Sequence, residues 1–204
     1  MNLEKDSHQT INNKNINNTN KKSLIENFIK TLTNEQKMKF WFKTLFSSYG
    51  SIPEVIKTLD KIIELQASSL SFASDVFNKE NTTINQVEKI IDLSERKKKL
   101  LNIHLMTKKL LNNLSFNDCD FLEKRFCLNW TADDLANEFN ISTRTVYRKI
   151  DKLINDVYAN AQKNNWSLAF LESQIKDEFW LKEKFKKQIS DYFKNSNYFQ
   201  GTLK

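Results

Sequence analysis

Thr131-Ala132-Asp133-Asp134-Leu135-Ala136-Asn137-Glu138-Phe139-Asn140-Ile141-Ser142-Thr143-Arg144-Thr145-Val146-Tyr147-Arg148-Lys149-Ile150 is the stretch that decides the fold. The Thr131 side-chain oxygen can accept an early backbone N–H, and Asp134, three residues on, can reach back to complete a capping box. Asp133 and Asp134 also bring negative charge to a first turn, where the helix dipole favours it. The helix so opened runs from Ala132 to Phe139. Asn140 stands where the chain must turn, and asparagine tolerates left-handed backbone better than other non-glycine residues. Ser142 caps a second helix, Thr143 to Asp156, whose inner face is Val146, Ile150, Leu153 and Val157. This is the spacing of a helix-turn-helix, in which two helices cross steeply and the second turns its outer face outwards.

Each special position meets a physical demand. Ala136 lies where the two helices approach most closely, and Leu135, Ile141 and Val146 form a small apolar knot between them. Opposite that knot point Thr143, Arg144, Tyr147, Arg148 and Lys149, which carry donors for base edges and phosphates. Upstream, Leu114-Ser115-Phe116-Asn117-Asp118 supplies another helix start, followed by Phe121, Leu122, Arg125, Phe126 and Leu128 and broken at Asn129.

Phe121-Leu122-Glu123-Lys124-Arg125-Phe126, Ala132 to Phe139, and Ile141 to Ile150 together resemble the C-terminal helix-turn-helix of sigma-70-type factors (region 4). They are similar as well to phage late-gene regulators that share this module. The resemblance covers residues 110 to 158, about a quarter of the chain. Asn140 replaces the usual turn glycine, and Asn129 stands where a glycine often ends the preceding helix. The resemblance implies double-stranded DNA as a partner, read in the major groove by Thr143, Arg144, Tyr147 and Arg148. Lys149 lies beside that set, and Thr131 and Thr145 become secondary phosphate or cap positions. It further implies RNA polymerase as a partner for the remaining helices.

Composition narrows the alternatives. Gly50 and Gly201 are the only glycines and Pro53 is the only proline among 204 residues, so folds and sites built on repeated tight turns, a Gly-rich phosphate loop included, are disfavoured. The expected fold class is all-α: a helical N-terminal region, the helix-turn-helix module, and C-terminal aromatic amphipathic helices. The net charge of +7 suggests a polyanionic partner. That excess sits at the ends, however, and residues 100–159 are neutral. Arg144, Arg148, Lys149 and Lys152 against Asp151 still make a local patch of +3. Affinity from one module is therefore expected to be weak, and a partner or homodimer is expected to supplement it. Cys119 and Cys127, with no signal peptide upstream, fit a reducing cytoplasm, and no apolar run is long enough to span a bilayer.

Residues 1–22 are rich in Asn, Lys, Thr and Ser and are expected to form a disordered arm. Over 23–109, helix starts stand at Ser23/Glu26, Thr33/Gln36, Ser51/Glu54 and Thr83/Gln86, the last opening a rod that reads unbroken to Leu114. Arg96-Lys97-Lys98-Lys99 inside that rod reads as a solvated helix face. Lys37-Met38-Lys39-Phe40-Trp41-Phe42-Lys43 could stack on unpaired bases, but Met38, Trp41, Phe42 and Leu45 follow the period of a buried stripe, and the core reading is preferred. Residues 110–158 form the module, and 159–204 hold C-terminal helices with Trp166, Phe170, Phe179, Trp180 and Phe185. His104 has no Ser or Asp signature, and Asp118, Asp120, Asp133 and Asp134 read as helix-start residues. No enzyme, cofactor or metal site is expected. The competing reading is a helical structural or adaptor protein, or a DNA-packaging adaptor, whose helix-turn-helix only packs helices.

Overall fold

The computed structural model describes the backbone of residues 25–76 and 80–201, and the side chains of 25–70 and 83–193. The expected arm at 1–22 and the Ser23 cap lie outside the described residues. Those described are all-α, with no strand among them. In chain order they form α1 (25–31), α2 (Asn34–Ser48), α3 (Ile52–Val76), α4 (Glu80–Asn112), α5 (Phe116–Leu122), a π-helical turn (Glu123–Cys127), α6 (Ala132–Glu138), α7 (Thr143–Lys163), α8 (Leu168–Gln174) and α9 (Phe179–Gly201).

Local chemistry sets most boundaries. At the start of α2, the Thr33 hydroxyl accepts the Gln36 N–H at 3.2 Å and the Gln36 side chain accepts the Thr33 N–H at 2.9 Å. Pro53 occupies the first turn of α3, where its missing N–H has no partner to lose. Thr83 is not a helix start: α4 already begins at Glu80, so this capping-box pattern lies inside a helix. From there α4 runs 33 residues without interruption, a rod about 50 Å long.

Helix α2 organises the interior because two of its faces are buried. Met38, Phe42 and Phe46 join Leu110 and Leu111 of α4 and the inner faces of α5, α6 and α7 in one core. Trp41 and Leu45, a turn-fraction away, join α3, α4, α8 and α9 in the other. Trp41 stacks on Phe185 with ring centroids 4.0 Å apart. Phe40 meets Tyr192 edge-on at 5.3 Å. The aromatic run therefore fills the interior, and the alternative of stacking on unpaired bases gives way.

A buried carboxylate ties α4 to the junction of α8 and α9. Glu178, 1% exposed, accepts two hydrogen bonds from the Arg96 guanidinium at 2.7 and 3.0 Å and one from the Trp180 indole at 2.8 Å. Both of its oxygens are thus partnered, as burial of a charge requires. The basic run at 96–99 is correspondingly not a plain solvated face. Arg96 holds Glu178, Lys97 pairs with Asp60, and Lys99 bonds Asp177 at 2.8 Å, which leaves Lys98 exposed.

Candidate nucleic-acid interface

Three segments build the site: α5 with its π turn, α6, and the first half of α7. Each turn between them rests on an asparagine. Asn129 and Asn140 have φ of 57° and 51°, in the left-handed region, and Asn165 repeats the device after α7 at 57°. At the end of α6, Ile141 donates to the Ala136 carbonyl at 3.0 Å and Asn140 to the Asn137 carbonyl at 3.4 Å, the paired bonds of a Schellman motif. Trp166 and Asn165 make the same pair with Ala161 and Gln162. After the π turn, Trp130 reaches back to Lys124 at 3.0 Å, one residue further than in the other two because the turn is wider.

Capping fixes where the two main helices begin. The Thr131 hydroxyl accepts the Asp134 N–H at 3.1 Å, while Asp134 Oδ2 accepts both the Thr131 N–H at 2.8 Å and the Thr131 hydroxyl at 2.7 Å. Those bonds to Thr131, the hydroxyl's first, hold the Asp134 carboxyl below its usual range. The Ser142 hydroxyl accepts the Thr145 N–H at 3.2 Å and lies 2.9 Å from the Thr145 hydroxyl. Thr131 and Thr145 therefore both serve caps, and Thr131 is exposed beside the site.

Leu135 and Val146 are fully buried between α6 and α7, and Ile141 and Ala136 pack against them. Side chains on the opposite face of α7 point into solvent: Thr143, Arg144, Tyr147 (56% exposed) and Arg148. Neither guanidinium makes an ion pair or hydrogen bond among the described residues. Lys152 is exposed as well. Arg144, Arg148 and Lys152, at successive four-residue steps, make a cationic ridge about 12 Å long. Lys152, part of the local charge of +3 but outside the expected contact set, joins the ridge through its four-residue spacing from Arg148.

Lys149 stands apart from that ridge. Its ammonium meets Asp118 at 3.1 Å and lies 4.7 Å from the Phe121 ring centre and 5.6 Å from that of Phe139. Those two rings meet edge-on at 5.1 Å. Asp118 is held below its usual range first by the Ser115 hydroxyl and then by Lys149. Lys149 thus clamps α7 to α5. Lys124 does the like on the other side, bonding Glu138 at 2.7 Å and Asp120 at 3.0 Å and lying over the Trp130 and Phe139 rings. With two lysines and three carboxylates occupied in bracing the module, its overall neutrality coexists with an unpaired basic ridge.

Cys127 and His104 lie partly buried against α2 and its C-terminal end. Burial pushes the Cys127 thiol up to about 11, and its Sγ donates to the Phe46 carbonyl at 3.2 Å. His104 stacks on Tyr49 with centroids 4.7 Å apart, and burial lowers its pKa. No group of three or more His, Cys, Asp or Glu residues among those described is arranged to hold a metal ion. No described helix is long and apolar enough to cross a membrane.

A family model described as an HTH domain matches residues 128–159, which covers α6 and most of α7. The match is to helix-turn-helix domains in general rather than to the sigma-70 region 4 type. No curated protein and no solved structure matches the chain. The geometry and the family match agree on one point: residues 128–159 form a helix-turn-helix domain, and the described residues around it are all-α.

Proposed function

We propose that the chain is a sequence-specific transcription regulator that binds duplex DNA through the exposed ridge of α7. It acts by binding and not by catalysis. The N-terminal turns of α7 enter the major groove. Arg144 and Arg148 then meet guanine O6 and N7 or flanking phosphates, Tyr147 and Thr143 offer hydroxyl groups, and Lys152 follows the backbone. The observation that carries this reading is the pair of guanidinium groups left unpartnered on the face opposite Leu135 and Val146. In a module whose Lys124 and Lys149 are both engaged by carboxylates, two free arginines on one outer face are what a polyanionic groove requires.

The chain works in the cytoplasm, where Cys119 and Cys127 stay as free thiols. It acts as a sigma-like specificity factor, supported by the resemblance over residues 110–158, and co-purification with RNA polymerase tests that form. The main proposal is tested by selecting from a random duplex pool with the full chain. Enrichment of a motif by the wild type and its loss with Arg144→Ala/Arg148→Ala is the expected outcome. Equal, sequence-independent retention by both proteins would overturn the proposal and favour an architectural role.

A further inference from the structure

Helix α4 carries a second pattern that the fold leaves uncovered. Ile84, Val87, Ile91, Leu101 and Leu105 are 56, 43, 52, 42 and 53% exposed, and Ser94 and Lys98 between them are exposed too. The spacing alternates three and four residues throughout: 84, 87, 91, 94, 98, 101, 105. That is the a/d series of a heptad repeat held for three heptads, the period of a two-stranded left-handed seam rather than of a helix lying on a globular core. The face of α4 that packs inside the chain is a different one, through Leu100, Ile103 and Leu110. The outward seam is about 32 Å long.

From this seam we infer that two copies of the chain pair through α4, antiparallel, about an axis near residue 96. In an antiparallel coiled coil each a residue faces a d residue of the partner helix. Ile91 then meets Leu101 of the second copy, Leu105 meets Val87, and Lys98 meets Ser94, whose neighbour Glu95 is exposed and free to take the ammonium. The symmetry produces two such Lys98–Glu95 pairs, with apolar layers on either side. A parallel pair would instead set Lys98 against Lys98 of the other copy, like charge facing like charge at one layer. One polar layer of this kind specifies register at some cost in stability. Residues 1–22 carry only four apolar side chains, Met1, Leu3, Ile11 and Ile16, against the five of the stripe. The seam is short, so the dimer is weak and concentration-dependent. This pairing stands independently of DNA binding.

Sedimentation equilibrium of the full chain, from low to high micromolar, reads the inference directly. A monomer–dimer equilibrium is expected. Ile91→Glu should abolish it with unchanged helicity by circular dichroism, and Lys98→Leu should tighten it by about tenfold or more, from apolar burial at two symmetric positions. Register is read by mild oxidation of single-cysteine additions, with the wild type as control for Cys119 and Cys127. Ile91→Cys and Leu101→Cys chains should form a disulfide when mixed and not when alone. A chain monomeric at every concentration, an Ile91→Glu variant that dimerises like the wild type, or a Leu101→Cys chain that links to itself would each overturn the inference.

Discussion

Lys149 lies on the helix that carries the ridge, yet its ammonium is turned towards Asp118 and the rings of Phe121 and Phe139, so replacing it should damage the fold more than the interface. Lys149→Met keeps most of the aliphatic stem and removes only the charge. The half-exposed ion pair is worth about 0.2–1 kcal/mol. The cation over two aromatic faces adds about 0.5–1 kcal/mol, towards about 2 where the site excludes water. The expected loss is about 1–2 kcal/mol, which for a chain of this size lowers Tm by about 2–8 °C. Urea unfolding of wild type, Lys149→Met, Asp118→Asn and the double variant gives the coupling between the two residues. DNA affinity should change much less than in Arg148→Ala. Unchanged stability, together with a loss of binding equal to that of Arg148→Ala, would refute the assignment of Lys149 as a clamp.

Three further outcomes follow from the packing and the turns. Phe42→Ala should cost about 3–5 kcal/mol and still give a single unfolding transition, because α2 serves both cores; two separated transitions in urea would contradict that coupling. Asn140→Ala should lose about 1–2 kcal/mol at its left-handed turn while Asn140→Gly is neutral or stabilising, as read by thermal denaturation. Asp118 is held below the usual carboxylate range, so the stability it contributes is fully present above that range and is lost as pH falls through its folded-state value. The stability gap between wild type and Asp118→Asn should therefore close as pH drops below about 4, and a gap that widens in acid would contradict it.

What the sequence made legible was short-range. The capping box of Thr131 with Asp134, the Ser142 cap and the left-handed turn at Asn140 each depend on atoms within six residues, and all three stand as read. So does the buried stripe of Met38, Trp41, Phe42 and Leu45, because helical period alone separates it from an exposed aromatic cluster. Thr83 misled because a cap pattern is indistinguishable from the same residues inside a helix when the preceding turn, from Glu80, is also helical. The π turn at Glu123–Cys127 has no composition of its own. Pairings across long separations were out of reach: Arg96 with Glu178 spans 82 residues, and Lys149 finds Asp118 only once α5 and α7 pack. Charge counted along the chain could not distinguish lysines that brace the module from arginines that face solvent.

The central claim, that the Arg144 and Arg148 face of α7 enters the major groove, is tested most directly by base analogues in the selected duplex. Replacing guanine with 7-deazaguanine deletes the N7 acceptor from the major groove, and replacing it with inosine deletes the N2 amino group from the minor groove. For the wild type, 7-deazaguanine at one or two positions should weaken binding by about 1–3 kcal/mol while inosine leaves it unchanged, and Arg144→Ala/Arg148→Ala should be insensitive to both. Sensitivity to inosine alone, or an equal penalty from 7-deazaguanine in both proteins, would contradict the claim.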